Sequence, residues 1–471
     1  MKKIITYIFL MASALSFSYS GGNGTVANPY LISTPTDLVQ LSTTTSDWDK
    51  HFKQTTDIIL DITEDDQNNG YNISPIGTES TPFTGSYDGD GHTIANLYIV
   101  QPLIHYQGLF GNVNTSYSIK KLGLLDPIIW GAAYVGSLIG NNQSGTIEEC
   151  YVTGGLVDGF SNETARGGLI GRNYGTITNC HSSITVAKGK NQGGFLGVNQ
   201  AGGIVQNSYY YNLTPYTGYS EVVRGASNNT GAFIGANNGT IVKCYAVASA
   251  IHLAGAASSV LIPGTTNYVH IGGFVGNNSN SGTIAECYAS TGTITVTNAF
   301  SSYGGLTTKG GFAGYNTSTI SQSYWDTTTS GETLMAGVDS SVTSGATGKT
   351  TAQMQTQSTY TGWDFTTTWV INNTIFPNIL YPVFNPSSLG IDEIDSDNNF
   401  TIYPNPTSSI LNIKTRRTIG NISIYDLSGR KIKTNTSNEN KVDVTNLPSG
   451  IYIIQLTFDN GNEDSLRFIK I

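Results

Sequence analysis

One short phrase returns seven times between Gly108 and Asp326, and it constrains the fold more than any other feature of the 471 residues. It reads GLFG at Gly108–Gly111, GSLIG at Gly136–Gly140, GGLIG at Gly167–Gly171 and GGFLG at Gly193–Gly197. It continues as GAFIG at Gly231–Gly235, GGFVG at Gly272–Gly276 and GGFAG at Gly310–Gly314. The closing glycines lie 29, 31, 26, 38, 41 and 38 residues apart, by subtraction of their positions. Units of that length cannot bury an apolar face alone and must stack on one another.

The content of each unit varies less than its length. Two residues after the closing Gly comes an Asn in six units: Asn142, Asn173, Asn199, Asn237, Asn278 and Asn316. An Ile follows (Ile147, Ile177, Ile204, Ile241, Ile284, Ile320), and then a Cys or Ser that precedes a ring. Apolar runs this short, punctuated by Gly and Asn and without a helical period, predict short buried strands joined by turns. Gly is expected to supply positive φ at those turns, with Asn tolerating it. Stacking at ~4.8 Å puts Asn over Asn, so side-chain amides can bond from coil to coil. The expected fold is all-β, a right-handed parallel β-helix (solenoid) followed by a small C-terminal β-sandwich. Ile147 and Cys150 differ by three, so a bend must intervene if both are buried.

At these residues the chain resembles the GLUG-motif repeat family of large bacterial surface and secreted proteins. The resemblance implies a secreted solenoid and no particular chemistry.

The rest of the chain is read around this region. Residues 1–20 have the pattern of an export leader: Lys2 and Lys3, an apolar run Ile4 to Leu15, and Ser18-Tyr19-Ser20 as the small-x-small site. That predicts a mature start near Gly21 and no membrane-spanning segment, since the apolar run is too short. Residues 21–106 are expected to form the N-terminal cap and first coils. There Thr34 caps a short helix with Pro35 at its first position, covering strand edges that would otherwise recruit other chains. Residues 107–326 are the repeats and 327–385 a closing cap, where Thr350 and Gln353 have capping-box spacing. Trp325, Trp363, Trp369, Phe376 and Tyr381 are expected to seal that last coil. Residues 386–398 read as a linker.

From residue 399 to 471 short alternating strands suit a small β-sandwich. This tail carries a net +3 while the whole chain carries −9, an asymmetry that fits two different domains. The acidic balance argues against nucleic acid as a partner. Tyr403-Pro404-Asn405-Pro406, Asp426 to Arg430 with Gly429, Leu447-Pro448-Ser449-Gly450-Ile451-Tyr452, and Lys470 resemble, motif by motif, the type A sorting domain of type IX secretion. The resemblance implies a partnership with the type IX secretion machinery and export across the outer membrane of a Gram-negative cell. It further implies removal of the tail, leaving the protein attached to lipopolysaccharide or released.

Candidate chemistry is sparse. Cys150, Cys180, Cys244 and Cys287 share one repeat position, either as a ladder of buried thiols or, in neighbouring coils, as disulfides. Tyr151, His181, Tyr209, Tyr245, Tyr288 and Tyr324 follow them and, by period two, face outward. They are a surface for sugar rings or a self-packing ladder. Asp61 to Asp66 is the one acidic cluster that could take Ca2+, without a recognised ligand spacing. No spacing predicts a pair of carboxylates at glycosidase separation, and no nucleophile elbow or phosphate loop occurs. The expected function is a non-catalytic adhesin or a glycan- or partner-binding protein, with surface glycans as candidate ligands. The alternative is a polysaccharide lyase or glycoside hydrolase on a β-helix scaffold.

Overall fold

The computed structural model describes residues 19–62, 70–159, 165–225, 228–254, 268–297, 306–340, 345–371 and 381–385. In the tail it describes 400–403, 407, 409–415, 418–426, 431–435, 440–448, 450–458 and 463–470. The leader and the linker thus lie outside the described residues, except for Tyr19 and Ser20. Contacts divide the chain into two units, one up to residue 354 together with 359–362, the other 355–358 with 363–471.

The first unit is a parallel β-helix. Each coil contributes in turn a strand to an eight-stranded sheet, to a ten-stranded sheet and to a thirteen-stranded sheet, with a five-stranded strip beside them. In one coil these are Ile139–Asn142, Thr146–Glu148, Tyr151–Asp158 and Ala165–Gly167. The strand pairings between coils are parallel, with Ile147 on Ile177 and Asn142 on Asn173, and the register shifts in one of them, between Thr153 and Leu156. Like therefore stacks on like. Phe195, Phe233, Phe274 and Phe312 form an interior column with ring centroids 4.8, 4.9 and 4.9 Å apart.

The asparagine column is bonded along its whole length. Nδ2 of Asn142, Asn173, Asn199, Asn237 and Asn278 donates to Oδ1 of the next, at 2.8, 3.0, 3.1, 2.9 and 2.9 Å. All six asparagines are fully buried. Asn316 then donates to Asp339 Oδ1 at 3.0 Å. The last position has only to accept, so a carboxylate at the solvent-facing end serves where an amide would.

One sequence-based reason needs correction. The closing glycines are not among the residues with positive φ. They lie inside strands, where a Cβ on Gly171, Gly197 or Gly235 would sit 2.6, 2.5 or 2.7 Å from the carbonyl oxygen of the glycine one coil back. Glycine is required by close approach, not by a turn. Left-handed backbone instead falls on Glu149, Asn179, Asn207, Lys243, Glu286 and Gln322, one residue before the Cys or Ser, with φ between 43° and 54°. This is the bend that buries both Ile147 and Cys150.

The ends are capped by helices. Thr34 accepts from the Asp37 amide, and the Asp37 carboxylate accepts from the Thr34 amide in return, starting the helix Pro35–Thr43. Its Leu38 and Leu41 are fully buried. Near the other end, Thr350 and Gln353 bond reciprocally ahead of the helix Thr351–Met354. Trp325, Met354 and Tyr360 are buried there. Trp363 and Trp369 belong to the second unit and are buried in turn. There Trp363 stacks on Trp369 at 4.5 Å, and Trp369 on Phe384 at 4.6 Å. Phe376 lies outside the described residues.

Within the second unit the tail forms two antiparallel sheets, of three and four strands. Leu411, Ile413, Ile422, Ile424, Ile454, Leu456 and Phe468 fill its core.

Candidate binding groove

The outward face of the ten-stranded sheet carries the most exposed chemistry of the described residues. In the first coils the inward column is Phe52, Tyr87, Ile119, Ile147. Period two therefore aims its neighbours at solvent. One outward column runs Lys53, Asp88, Lys120, Glu148, alternating in sign. The other begins His51 on Ser86 and continues with Ser118 on Thr146.

Between these columns lies a groove of about 450 Å³, lined by His51, Lys53, Ser86, Asp88, Tyr117 and Lys120 among others. His51 Nδ1 is 2.9 Å from Ser86 Oγ, and the Tyr117 ring meets the imidazole edge-on at 4.6 Å. Lys53 pairs with Asp90 at 2.9 Å and Lys120 with Asp88 at 3.4 Å. These side chains are substantially exposed, so the pairs position charge more than they stabilise. Asp88 and Glu148 stand two coils apart, ~9.6 Å along the stack, with Lys120 between them. The sequence reading missed this column because Lys53 and Asp88 precede the first repeat. The signal present was the pattern of alternate residues in HFK, SYD, SIK and TIE.

The predicted aromatic column forms and is closed along half its length, Tyr151, His181 and Tyr209 being only half-buried. Tyr151, His181, Tyr209, Tyr245 and Tyr288 stack at 5.0, 4.7, 4.7 and 5.0 Å, with planes within 5°. Tyr324 stands in register with Tyr288. Tyr245, Tyr288 and Tyr324 are 3, 0 and 7% exposed. At the other end Gly123 lies under Tyr151, where a Cβ would come within 2.4 Å of the ring. Burial pulls the His181 imidazole down to about 4, so it stacks as a neutral ring.

The four cysteines are buried free thiols. Each is engaged: the Cys150 and Cys180 Sγ–H groups donate to the carbonyls of Glu148 and Thr178, at 3.3 and 3.2 Å. Cys150 N–H donates to Cys180 Sγ at 3.4 Å, and Cys180 N–H to Ser208 Oγ at 3.2 Å. Ser208 and Ser323 donate to the same carbonyl position at 2.8 Å. Thiol and hydroxyl thus do one job, tying down the left-handed bend, and this accounts for their interchange. Burial raises the Cys180 and Cys287 thiols.

A second charged cluster is internal. Asp158 and Arg166 are fully buried. Asp158 accepts from Lys188 Nζ at 3.1 Å and Tyr219 OH at 2.6 Å. Arg166, pulled down to about 10 by burial, donates to the carbonyls of Gly131, Ala132 and Lys188. Its Nη1 and Nη2 donors are spent on backbone, the geometry of a structural brace. Among the described residues no group of three or more His, Cys, Asp or Glu could hold a metal ion, and most of Asp61 to Asp66 lies outside them.

Of the sorting residues, Tyr452 is buried and its hydroxyl donates to the Pro448 carbonyl at 2.9 Å. Gly450 opens the strand Gly450–Phe458 and Lys470 ends Glu463–Lys470. Pro404, Asn405, Pro406 and Gly429 lie outside the described residues.

Fold and surface together define a stacked β-solenoid that displays polar columns, joined to an independent sandwich. The comparisons with known proteins name both parts: residues 163–187 match the GLUG motif, and residues 401–470 match the secretion system C-terminal sorting domain. The latter is the type IX sorting domain, so the protein engages that secretion machinery and is secreted or held at the cell surface. No helix among the described residues is long and apolar enough to cross a membrane. Halomucin of Haloquadratum walsbyi is 37% identical over 182 residues, 37% of this chain and 2% of halomucin. A provisionally named Gly-rich membrane protein of Evansella cellulosilytica is 34% identical over 135 residues, 28% of this chain and 15% of its own length. The matches thus span small parts of both relatives. A Bacteroides ovatus crystal structure, provisionally described as an immunoglobulin A1 protease, has a TM-score of 0.45 at 19% identity. It covers 78% of this chain and 95% of its own.

Proposed function

We propose that this is a non-catalytic binding protein of the cell surface, an adhesin or a glycan- or partner-binding protein. It is led into export by residues 1–20 and out by the tail, and is then anchored to lipopolysaccharide or released. The observation that carries this reading is the groove on the ten-stranded sheet. Tyr117 and His51 offer ring surface beside the hydroxyls of Ser86 and Ser118. Lys53 and Lys120 are already matched by carboxylates. Such a mixture of rings and hydrogen-bonding groups suits a polar ligand such as a sugar.

The alternative, a polysaccharide-degrading enzyme, has one observation of its own. Asp88 and Glu148 share the outward column at ~9.6 Å, close to the separation of inverting glycosidases. Lys120 stands between them and pairs with Asp88, which favours binding over acid–base work.

The test is a glycan array with the tail-less protein, beside an assay for new reducing or unsaturated ends. Binding that is lost in Tyr117→Ala and Lys120→Ala, without turnover, supports the proposal. Turnover abolished by Asp88→Asn or Glu148→Gln would replace it with the enzyme.

A further inference from the structure

Several bonds in the leader region meet the small-x-small requirement, and the last two of them flank Tyr19 and Ser20. Ser18-Tyr19-Ser20 points to a cut before Gly21, and Ser16-Phe17-Ser18 to a cut before Tyr19. The folded cap distinguishes them. Tyr19 is 5% exposed, its ring 4.4 Å from that of Tyr30 and 5.5 Å from that of Phe52. Its hydroxyl donates to Asp47 at 2.9 Å. Ser20 donates twice to Asp37, from its amide at 3.1 Å and its hydroxyl at 2.7 Å.

Asp37 is the residue that organises the entire N-terminal end. It also accepts from the amides of Ser33 and Thr34, at 3.0 and 2.9 Å, and from the Thr34 hydroxyl at 2.8 Å. These bonds hold its carboxylate below the ordinary range, against the opposing effect of burial. A cut before Gly21 would take two of the five donors from this carboxylate. It would also strip the ring that covers Tyr30 and Phe52, on the outermost strands of the ten-stranded sheet. A bare strand end is the part of a solenoid that frays and recruits other chains.

We propose that the processing site is the Ser18–Tyr19 bond, and that Tyr19 and Ser20 are the first residues of the mature cap. The proposal rests on the reading of the N-terminal segment as an export leader, and shortens that leader to residues 1–18. Hydrolysis by a leader peptidase consumes one water and leaves a carboxylate on Ser18 and an α-ammonium on Tyr19. The new positive charge then adjoins the residue whose amide already donates to the Asp37 carboxylate, and opposite charges attract.

The experiment is mass mapping of the N-terminal peptide of the exported protein. A chain that starts at Tyr19 is the expected result, and one that starts at Gly21 overturns the proposal. A chain that retains Met1 overturns the leader reading itself, a distinct failure. Two variants separate the sites on the exporting chain: Ser16→Phe blocks the Ser18–Tyr19 cut, whereas Ser20→Phe leaves it in place. If Ser20→Phe stops processing and Ser16→Phe does not, the proposal is wrong. Full mature chains released at Tyr19 and at Gly21 supply the structural arm. Amides of Tyr30 to Gln54 should exchange roughly tenfold faster in the shorter chain, the loss of one or two hydrogen bonds, with residues 234–278 unaffected. Equal protection would count against a structural role for Tyr19.

Discussion

Replacing Asn199 by Ala interrupts the amide column at its middle, and the structure sets the size of the effect. Asn199 Nδ2 donates to the Gly203 carbonyl and to Asn237 Oδ1, both at 3.1 Å, and its Oδ1 accepts from Asn173 at 3.0 Å. Three hydrogen bonds are lost at about 1 kcal/mol each. The partners are not all stranded, since Asn237 Oδ1 still accepts from Gly239 at 3.2 Å and Asn173 still donates to Gly175 at 3.0 Å. The Gly203 carbonyl likewise still accepts from the Thr240 amide at 2.9 Å, so no buried group is left wholly unpaired. The expected cost is therefore about 3 kcal/mol, concentrated in two neighbouring coils, because a solenoid's stability is a sum of local terms. A single melting temperature is a poor measure of such a chain. Native-state hydrogen exchange at Leu196–Asn199 and Ile234–Asn237 is the better one. Asp339→Asn, at the accepting end, should change local opening by less than ~0.5 kcal/mol. If Asn199→Ala lowers the opening free energy by under ~1 kcal/mol, the amide column is not what holds the coils in register.

Cys244→Ser should be tolerated within ~1 kcal/mol because Ser208 and Ser323 already fill equivalent places, whereas Cys244→Ala should cost about 1–2 kcal/mol by denaturant titration. Thiol titration of the unreduced protein in denaturant should find all four cysteines free, and a count of two or none would mean disulfides. His181 and His270 are both pulled down to about 4 by burial, below the ordinary 6.5. Their neutral forms favour the folded state, so stability is whole above pH 6.5 and falls as the pH drops toward 4, by at most ~1.4 kcal/mol per unit per group. His181→Tyr, which keeps the stack, should reduce that acid sensitivity in pH-dependent unfolding. In the groove, Tyr117→Ala should weaken ligand binding roughly tenfold with no change in the far-ultraviolet circular dichroism.

The sequence was most legible where a residue's role repeats. Asn at a fixed offset in six units could only stack, and its amide could only bond to the next amide, so the column was predictable link by link. The three-residue gap from Ile147 to Cys150 required a bend before any backbone was known, and Thr34 with Pro35 announced the first helix. The tail's motifs named its destination without any help from its fold.

What the sequence left open were the distances across columns rather than along them. The closing glycines were assigned to turns, but only the coil-to-coil carbonyl approach near 2.6 Å explains them. The outward tyrosines could have been a sugar-binding face until their neighbours buried Tyr245 and Tyr288. Lys53, Asp88, Lys120 and Glu148 are scattered over nearly a hundred residues. They become one charged column because irregular early coils happen to return in register. Local patterning decides which side of a strand a residue faces, and so determines columns within a repeat. Which columns meet, and which remain open to solvent, depends on loop lengths and on the packing of whole coils, and only the tertiary structure fixes that.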